Sequence, residues 1–468
     1  MGDPNMSSNL SDDVEPRAPG QAANPRSNTA GANGTQPPAK ESLGQRLIGV
    51  IGPGIITGVA DDDPATIGTC TQVGASIGNA GLWTMLLTAP LMAGVQLSCA
   101  KIGLVAEHGL ASVVKQHYSR WLLILVVASI AVANTINAGA DLGGVAAAVN
   151  LLAPAVQIKV AIVSIAISIV ALQFWGNYQL IERVFKWLTF TLFAYIVAGL
   201  LSKPDAISVL RGTFIPTFRS SGEFISALVA IAGTVFSPYL FFWQASQEAE
   251  ATGAEQQQRR EAADDSGDHK AIKNEVTASR LKTARWDVSI GMVLSNIVTY
   301  FMILAAAATL FKAGQHNVQT ATEAAKALGP LAGQAASYVL AIGLIGTGFL
   351  AVPVLTGSAG YTIAEAVGWR SSLNAKPRHA KQFYAAIGVS TVVGLLMNFI
   401  GINPIRALFL TSILYGFLAP ILLVVVLLIA NNRQVMGDQV NGRVTNLLGL
   451  LSILVTLAAA VGLILTSI

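Results

Sequence analysis

The fold of this chain is decided by residues 47–77, which read LIGVIGPGIITGVADDDPATIGTCTQVGASI. Three successive aspartates, Asp61, Asp62 and Asp63, are followed by Pro64 in the middle of an apolar stretch long enough to cross a bilayer. Each carboxylate near the centre of such a segment costs on the order of 2.5 to 3.5 kcal/mol, so a ligand, a water-filled cavity or a partner must offset it. Pro64 breaks the helix and frees carbonyl groups that can bind a cation. A broken helix that carries acids predicts an ion-binding site.

The composition is that of an integral membrane protein. The 468 residues are 53% hydrophobic and 12% charged, against roughly 25% charged residues in an ordinary soluble domain. Residues 1–45 are rich in Pro, Gly, Ser and Asn, which predicts a disordered tail and not a signal peptide. Cys70 and Cys99 lie in apolar segments and predict no disulfide. A net charge of +4 without a basic run that carries aromatics does not favour a nucleic-acid partner.

Apolar segments of membrane-spanning length recur about eleven times after the tail. Their predicted starts are residues 47, 82, 121, 157, 181, 222, 287, 331, 382, 404 and 445. Basic residues concentrate by roughly three to one in the loops that share a side with the tail, which predicts a cytoplasmic N-terminus. Residues 248–285 are polar and of mixed charge, and we expect a cytoplasmic loop there that is partly helical. A bacterial inner membrane is the expected location.

The sixth span repeats the interruption of the first. Residues 233–239, Gly-Thr-Val-Phe-Ser-Pro-Tyr, place Pro238 inside an otherwise continuous apolar helix. Two interrupted helices at corresponding positions of two halves indicate an inverted-repeat transporter with its binding site near the middle of the membrane. We therefore predict an all-α fold with a LeuT-like five-plus-five repeat, its halves at 46–203 and 221–430, and an additional helix at 440–468.

At this point the chain resembles the NRAMP family of divalent-metal transporters over nearly all of its length after the tail. The first-helix pattern of that family has a Gly-Pro-Gly element, then eight intervening residues, then an Asp-Pro pair. The matching stretches, in order, are Gly52-Pro53-Gly54, Asp63-Pro64, Met92-Ala93 with Gln96, Lys101–Val105, Gly109-Leu110-Ala111, Asp141-Leu142 and Ala359-Gly360 with Glu365. The resemblance implies a transporter and not an enzyme, with the metal ion as cargo and no resident cofactor.

The metal-binding positions of that family carry different side chains here. The family's asparagine after Asp-Pro-Gly falls on Thr66, and the methionine of its sixth-helix Met-Pro-His-Asn falls on Ser237. The family's methionine sulfur favours soft transition metals, whereas Ser237 offers a hard oxygen or space for water. Thr234 takes the position whose backbone carbonyl faces the ion in the family. The departures resemble the NRAMP-related magnesium transporters.

The positions that carry protons in the family are also changed. Its sixth-helix histidines fall on Tyr239 and Gln244, its third-helix glutamates on Asn134 and Gly144, and its tenth-helix glutamine on Ser412. A proton relay needs groups that titrate near neutral pH, and these side chains do not supply them. Of the third-helix acids only Asp141 remains. We therefore expect little or no proton coupling.

Magnesium prefers six oxygen ligands and sheds its waters reluctantly, so that proteins hold it through one or two carboxylates and retained water. The expected metal ligands are Asp63, Thr66, Thr234 and Ser237. Secondary or vestibule candidates are Asp62, Tyr239, Gln244, Asp141 and Ser412. Hydroxyl groups in membrane helices also bond to the preceding turn or bridge helices, so a structural role stays open for Thr66 and Ser237. It stays open for Asp141 as well, and Glu365 is expected to pair with a nearby Arg or Lys.

Three other functions are consistent with parts of the pattern. A proton-coupled manganese or iron transporter is the ordinary activity of the parent family. A sodium-coupled carrier of amino acids could share the scaffold, although the aspartates would repel a substrate carboxylate. An intramembrane aspartyl protease could use Asp63 and Asp141 as a dyad, but that reading leaves the break at Pro238 unexplained.

Overall fold

The computed structural model describes residues 52–175, 192–262, 269–329, 333–373 and 375–467. The chain divides into the units Met1–Ile48 and Gly49–Ile468, and the described residues all belong to the second. The predicted tail at 1–45 and the predicted start of the first span at 47 lie outside them. The helices are α1 Pro53–Asp61, α2 Pro64–Ile77, α3 Leu82–Ala106, α4 Leu110–His117, α5 Arg120–Leu152, α6 Ile158–Trp175, α7 Phe193–Leu201, α8 Ala206–Phe214, α9 Gly222–Val235, α10 Pro238–Ala262, α11 His269–Ala306, α12 Ala321–Ala325, α13 Ala336–Val367, α14 Lys381–Met397, α15 Pro404–Ala430, α16 Arg433–Met436 and α17 Arg443–Ser467.

The protein is a multi-pass membrane protein. Seven helical stretches of the described chain are long and apolar enough to cross a bilayer, and α6 and α14 are shorter apolar helices. Each predicted span except the fifth coincides with one of the described helices or a pair of them. The fifth span, predicted to start at 181, lies largely outside the described residues, and α7 covers its end. The eighth span was predicted to start at 331, and its helix, α13, begins at Ala336.

Both predicted helix breaks are present, and they have the same backbone shape. The residue that follows α1, Asp62, has φ −83° and ψ 52°, and the residue that follows α9, Phe236, has φ −96° and ψ 48°. In each case the second half of the broken helix starts with a proline, Pro64 in α2 and Pro238 in α10. Proline suits the first position of a helix because that position has no backbone hydrogen bond to lose. The same local device therefore interrupts the first and the sixth span.

The packing follows the predicted inverted repeat. If spans six to ten repeat spans one to five, α10 corresponds to α2 and α3 corresponds to α11. The contact of α2 with α11 then has its counterpart in the contact of α10 with α3, and both pairs pack closely. The same correspondence relates the α5–α6 pair to the α13–α14 pair, which also both pack. α5 and α13, the third and eighth spans, make the most extensive contact of the described helices. The eleventh span, α17, packs on α3, α9 and α15, outside the repeat.

α1 lies directly against the backbone of α11. A Cβ atom on Gly58 would meet the carbonyl of Gly291, and one on Gly54 would meet the backbone of Val288. Gly54 and Gly58 are four residues apart, the spacing that lets two membrane helices approach closely. At the start of α1, the carboxylate of Asp287 on α11 accepts hydrogen bonds from the backbone N–H groups of residues 52, 54 and 55. α1 is thereby fixed to α11 up to the break.

Residues 248–285 are more helical than the sequence predicted. α10 continues to Ala262 and α11 starts at His269, so most of the expected loop forms extensions of these two helices. Arg259 pairs with Glu255 and Glu275, and Arg280 pairs with Glu255. These ion pairs are partly exposed and each contributes little, but together they join the two extensions.

Candidate cation site

Asp63 lies at the break between α1 and α2 and caps the N-terminus of α2. Its Oδ1 accepts a hydrogen bond from the Thr66 backbone N–H at 2.6 Å. Asp141 reaches the same helix end from α5, because its Oδ1 accepts from the Ala65 N–H at 3.1 Å. Pro64 has no N–H, so the two carboxylates serve the first free donors of α2. The second oxygen of Asp63, Oδ2, accepts from the Asn137 amide at 3.1 Å, and the Tyr239 hydroxyl oxygen lies 3.4 Å from it.

Helix capping explains where these acids lie but not their charge. An N-cap side chain contributes about 1 kcal/mol and a favourably placed charge up to about 2 kcal/mol more. Asp61, Asp62, Asp63 and Asp141 are all buried, with at most 4% of each residue exposed. Four ionised carboxylates would cost roughly 10 to 14 kcal/mol on insertion scales. None of the ion pairs in the described part of the chain involves them. A cation beside the cluster would offset that cost.

The second break brings polar oxygens from α9 and α10 together. The Ser237 hydroxyl donates to the Thr234 carbonyl oxygen at 2.5 Å, and the Thr234 hydroxyl donates to Ser412 on α15 at 3.0 Å. Ser412 in turn lies 2.8 Å from the Thr69 hydroxyl of α2. This chain of hydroxyl groups joins the two broken helices and α15. The Ser237 hydroxyl also lies near the Asp61 carboxylate.

Two of the predicted side chains satisfy backbone carbonyls that the break in the first span has freed. The Thr66 hydroxyl donates to the Asp61 carbonyl oxygen at 2.6 Å, and the Tyr239 hydroxyl donates to the Ala60 carbonyl oxygen at 2.7 Å. Because Tyr239 belongs to α10, its hydroxyl links the two broken helices next to Asp63. Metal binding by the Thr66 hydroxyl would require this bond to be shared or exchanged.

Asp61 and Asp62 face α11. The Ser295 hydroxyl lies 3.0 Å from Asp61 Oδ2 and 3.3 Å from Asp62 Oδ1, and the Thr299 hydroxyl lies 3.2 Å from Asp62 Oδ1. Asp62, predicted as a vestibule residue, is only 1% exposed in this conformation. The structure therefore separates the aspartate triplet: Asp63 faces α5 and α10, and Asp62 faces α11.

The polar groups around Asp63 do not form a complete set of metal ligands. Within the described ranges, no three His, Cys, Asp or Glu side chains are grouped so that they could hold a metal ion. One carboxylate, Asp63, is surrounded by the neutral groups of Asn137, Tyr239 and Thr66. Such a set supplies too few ligands for a bare divalent ion, so a bound ion would have to keep some of its water.

Gln244 lies further along α10, away from Asp63. Its amide nitrogen donates to Glu248 at 2.9 Å, and Arg280 of α11 lies 3.9 Å from the same carboxylate. At the end of α3, Glu107 binds Lys273 and Gln256. Partial burial would raise the pKa of Glu107, but these two partners outweigh it and lower the pKa below its usual value. Gln244 thus lies between the Asp63 site and the charged extensions of α10 and α11.

Within the described ranges, the partners of Glu365 differ from the expected Arg or Lys. Glu365 accepts from the Ser246 hydroxyl at 2.7 Å and the Ser112 N–H at 3.3 Å. It therefore caps the start of α4, which begins after Gly109. The expected structural role is correct, but backbone and hydroxyl donors fill it.

Sequence reasoning missed several residues that contact the aspartates. Asn137 donates to Asp63, and Ser295 and Thr299 contact Asp61 and Asp62. Asn137 precedes Asp141 by one helical turn on α5, so the spacing of the two could have indicated it. Ser295 and Thr299 are also four residues apart on one face of α11, but nothing in the sequence says which helix α11 contacts.

Comparisons with known proteins agree with this architecture. A family model described as Nramp, natural resistance-associated macrophage protein-like, matches residues 54–466. The divalent metal cation transporter MntH of Klebsiella pneumoniae strain 342 is 26% identical over 406 residues, which cover 85% of this chain and 89% of that protein.

Two solved structures have the same fold. A crystal structure of the Eremococcus coleocola manganese transporter superposes with a TM-score of 0.65 at 19% identity, covering 92% of this chain and 88% of that one. Mhp1, a nucleobase-cation-symport-1 family transporter, superposes in a closed conformation with a TM-score of 0.53 at 15% identity, covering 89% and 93%. At these identities the likeness concerns the fold, and it confirms the predicted all-α transporter architecture.

Proposed function

The chain belongs to the Nramp family, and from this we propose that it is a secondary transporter of divalent metal cations. The relative MntH and the Eremococcus structure are named as transporters of divalent metal and of manganese. The observation that carries the proposal is the acid cluster at the break between α1 and α2, buried and without an ion pair in the described part of the chain. An acid at such a depth marks an ion pathway by default. The broken helices place it where inverted-repeat transporters bind their substrates.

We propose Mg2+ as the main substrate, with Mn2+ also carried. Asp63 supplies the charge, and the other predicted ligands are hydroxyl and carbonyl oxygens, which suit a hard ion that keeps part of its water shell. Ser237 and Thr234 offer a hydroxyl and a carbonyl oxygen at the second break. A soft sulfur donor, which would favour manganese or iron, is replaced by Ser237. The predicted ligands are thus Asp63, Thr66, Thr234 and Ser237.

We propose that transport proceeds without proton coupling. The side chains that link the site to its surroundings, Tyr239, Gln244, Asn137 and Ser412, do not exchange protons near neutral pH. Asp141 uses one oxygen to cap α2 and is therefore part of the local structure. The ion itself would neutralise the acid cluster on each passage.

Movement would occur by alternating access. Asp63, Thr66, Thr234 and Ser237 are each less than 5% exposed, so the site is closed to both sides in this conformation. The α2–α11 contact and the α10–α3 contact are related by the repeat, and rocking of one half against the other would open one side at a time.

A proton-coupled Mn2+ or Fe2+ symporter is the second candidate. The observation in its favour is that the two named relatives are described as a divalent metal cation transporter and a manganese transporter. It differs from the preferred function in two measurable respects, the ion preference and the accompanying proton flux.

Uptake into proteoliposomes that contain both a metal indicator and a pH dye separates the two. The preferred function gives Mg2+ and Mn2+ entry down their gradients with no change of internal pH. Acidification of the lumen that accompanies metal entry would establish the second candidate, and no uptake of either ion would refute both.

A further inference from the structure

We propose that Asp61, Asp62, Ser295 and Thr299 form a second cation site between α1 and α11, specific for sodium and separate from the Asp63 site. The inference does not depend on which divalent ion is transported. It rests on the small number of hydrogen-bond donors that reach the two carboxylates and on the cavity next to them.

The two carboxylates have too few donors. The Ser295 hydroxyl lies within hydrogen-bond distance of both Asp61 Oδ2 and Asp62 Oδ1, yet it has one proton and can donate to only one of them. Thr299 adds a single donor to Asp62. The other oxygen of Asp61, Oδ1, is buried without a hydrogen-bond partner, since the nearby Ser237 hydroxyl donates its one proton to the Thr234 carbonyl. A buried carboxylate oxygen without a partner carries the full cost of its lost hydration.

The surroundings favour a positive occupant. Asp61 and Asp62 are close enough to repel each other. α1 ends at Asp61, and the C-terminal end of a helix carries partial negative charge that attracts cations. In the described ranges, no Lys, Arg or His forms an ion pair with either carboxylate. Carboxylate and hydroxyl oxygens are ligands for hard cations.

The size of the cavity selects the cation. A cavity of about 10 Å³ adjoins the cluster; Asp62 and Ser295 line it, together with apolar residues that include Val59, Leu294 and Val298. That volume holds about one water molecule. Mg2+ gives up its waters reluctantly and would need more room than this cavity offers, whereas Na+ dehydrates more readily. Sodium is also the ion that unwound helix ends bind in other inverted-repeat transporters.

Thermal unfolding of the purified protein tests the site without any transport measurement. The melting temperature is followed by tryptophan fluorescence while NaCl replaces choline chloride at constant ionic strength, with KCl in a parallel series. We expect a saturable rise with NaCl that KCl does not reproduce. The absence of a sodium-specific rise, or an equal effect of KCl, overturns the proposal.

The variants Thr299→Val and Thr299→Ser separate the hydroxyl from the shape of the side chain. Loss of one oxygen ligand to an ion is worth about 1.5 kcal/mol or more, so Thr299→Val should raise the half-saturating sodium concentration roughly tenfold, while Thr299→Ser leaves it near the wild-type value. Thr71→Val is the matched control, because Thr71 is equally buried and its hydroxyl bonds only to the Ile67 carbonyl of its own helix. Wild-type sodium dependence in Thr299→Val would overturn the proposal.

Two further variants keep the test decisive. If Thr299→Val does not fold, Ser295→Ala removes the hydroxyl shared by the two carboxylates, and the same loss of sodium response is required of it. Asp63→Asn should abolish metal uptake yet keep the sodium-dependent rise, so a failure of the transport function is distinguishable from a failure of this second site. Loss of the rise in Asp63→Asn would mean that there is one site and not two.

Discussion

Asp63→Asn removes the charge of the proposed ligand while leaving its structural role intact. Asparagine caps helices as well as aspartate does, so the bond from the Thr66 N–H to the side chain at position 63 persists. The new amide nitrogen would face the Asn137 amide nitrogen. Asn137 can turn its amide by half a rotation, because its own Oδ1 is buried without a partner and becomes the acceptor. The fold should therefore tolerate the change.

The loss of ion binding can be estimated from the charge. Two unit charges 4 Å apart at an effective dielectric constant of 20 interact by about 4 kcal/mol, and a divalent ion doubles this to about 8 kcal/mol. If hydration of the ion offsets three quarters of that interaction energy, the net loss of binding free energy is about 2 kcal/mol. This loss corresponds to about a 30-fold weaker ion affinity. We expect metal uptake by proteoliposomes to fall at least 30-fold by this reasoning. The stability should be unchanged or higher, because one member of a repelling cluster loses its charge.

Asp205→Asn is the matched control for this experiment. Asp205 is also an N-cap, accepting from the Ser208 N–H at 2.8 Å, but it is exposed at the start of α8. Uptake by that variant should equal the wild-type rate. Uptake by a folded Asp63→Asn protein within a few-fold of wild type would refute the assignment of Asp63 as the ligand.

Two other predictions test the ion preference and the packing of α1. Ser237→Met introduces a soft donor and narrows the site, so the ratio of Mn2+ to Mg2+ uptake should rise by about tenfold, and an unchanged ratio would mean that position 237 does not face the ion. Gly58→Ala places a Cβ against the Gly291 carbonyl and should lower the free energy of unfolding in detergent by about 1 to 3 kcal/mol. The control Gly253→Ala lies at an exposed helical position with open space and should raise that free energy by about 0.5 to 1 kcal/mol. Equal effects of the two alanines would show that α1 does not pack tightly on α11.

The sequence predicted the fold because its strongest signals are local. Apolar spans of bilayer length and the prolines at 64 and 238 each leave a pattern that can be read without knowledge of contacts, and both helix breaks were located correctly. The extensions of α10 and α11 were harder to predict, because residues 248–285 are polar and their helices are joined by ion pairs between distant residues such as Arg280 and Glu255.

The sequence predicts which acids lie at the first helix break but not what those acids contact. Asp63 was singled out because a charge in an apolar segment is costly wherever it lies, and its capping of α2 follows from the Pro64 that comes next. The separation of Asp62 from Asp63 could not be predicted, since it depends on α11 presenting Ser295 and Thr299 to the first helix. The engagement of the Thr66 hydroxyl by the Asp61 carbonyl likewise depends on the exact path of the break.

The proposed function requires that a divalent cation binds at Asp63 between the two broken helices. Anomalous diffraction from crystals of the protein soaked in Mn2+ locates that ion directly. We expect a peak within direct or water-bridged contact of the Asp63 carboxylate, next to Ser237 and the Thr234 carbonyl. A peak elsewhere, or an Asp63 carboxylate bound to an arginine or lysine with no ion beside it, would contradict it.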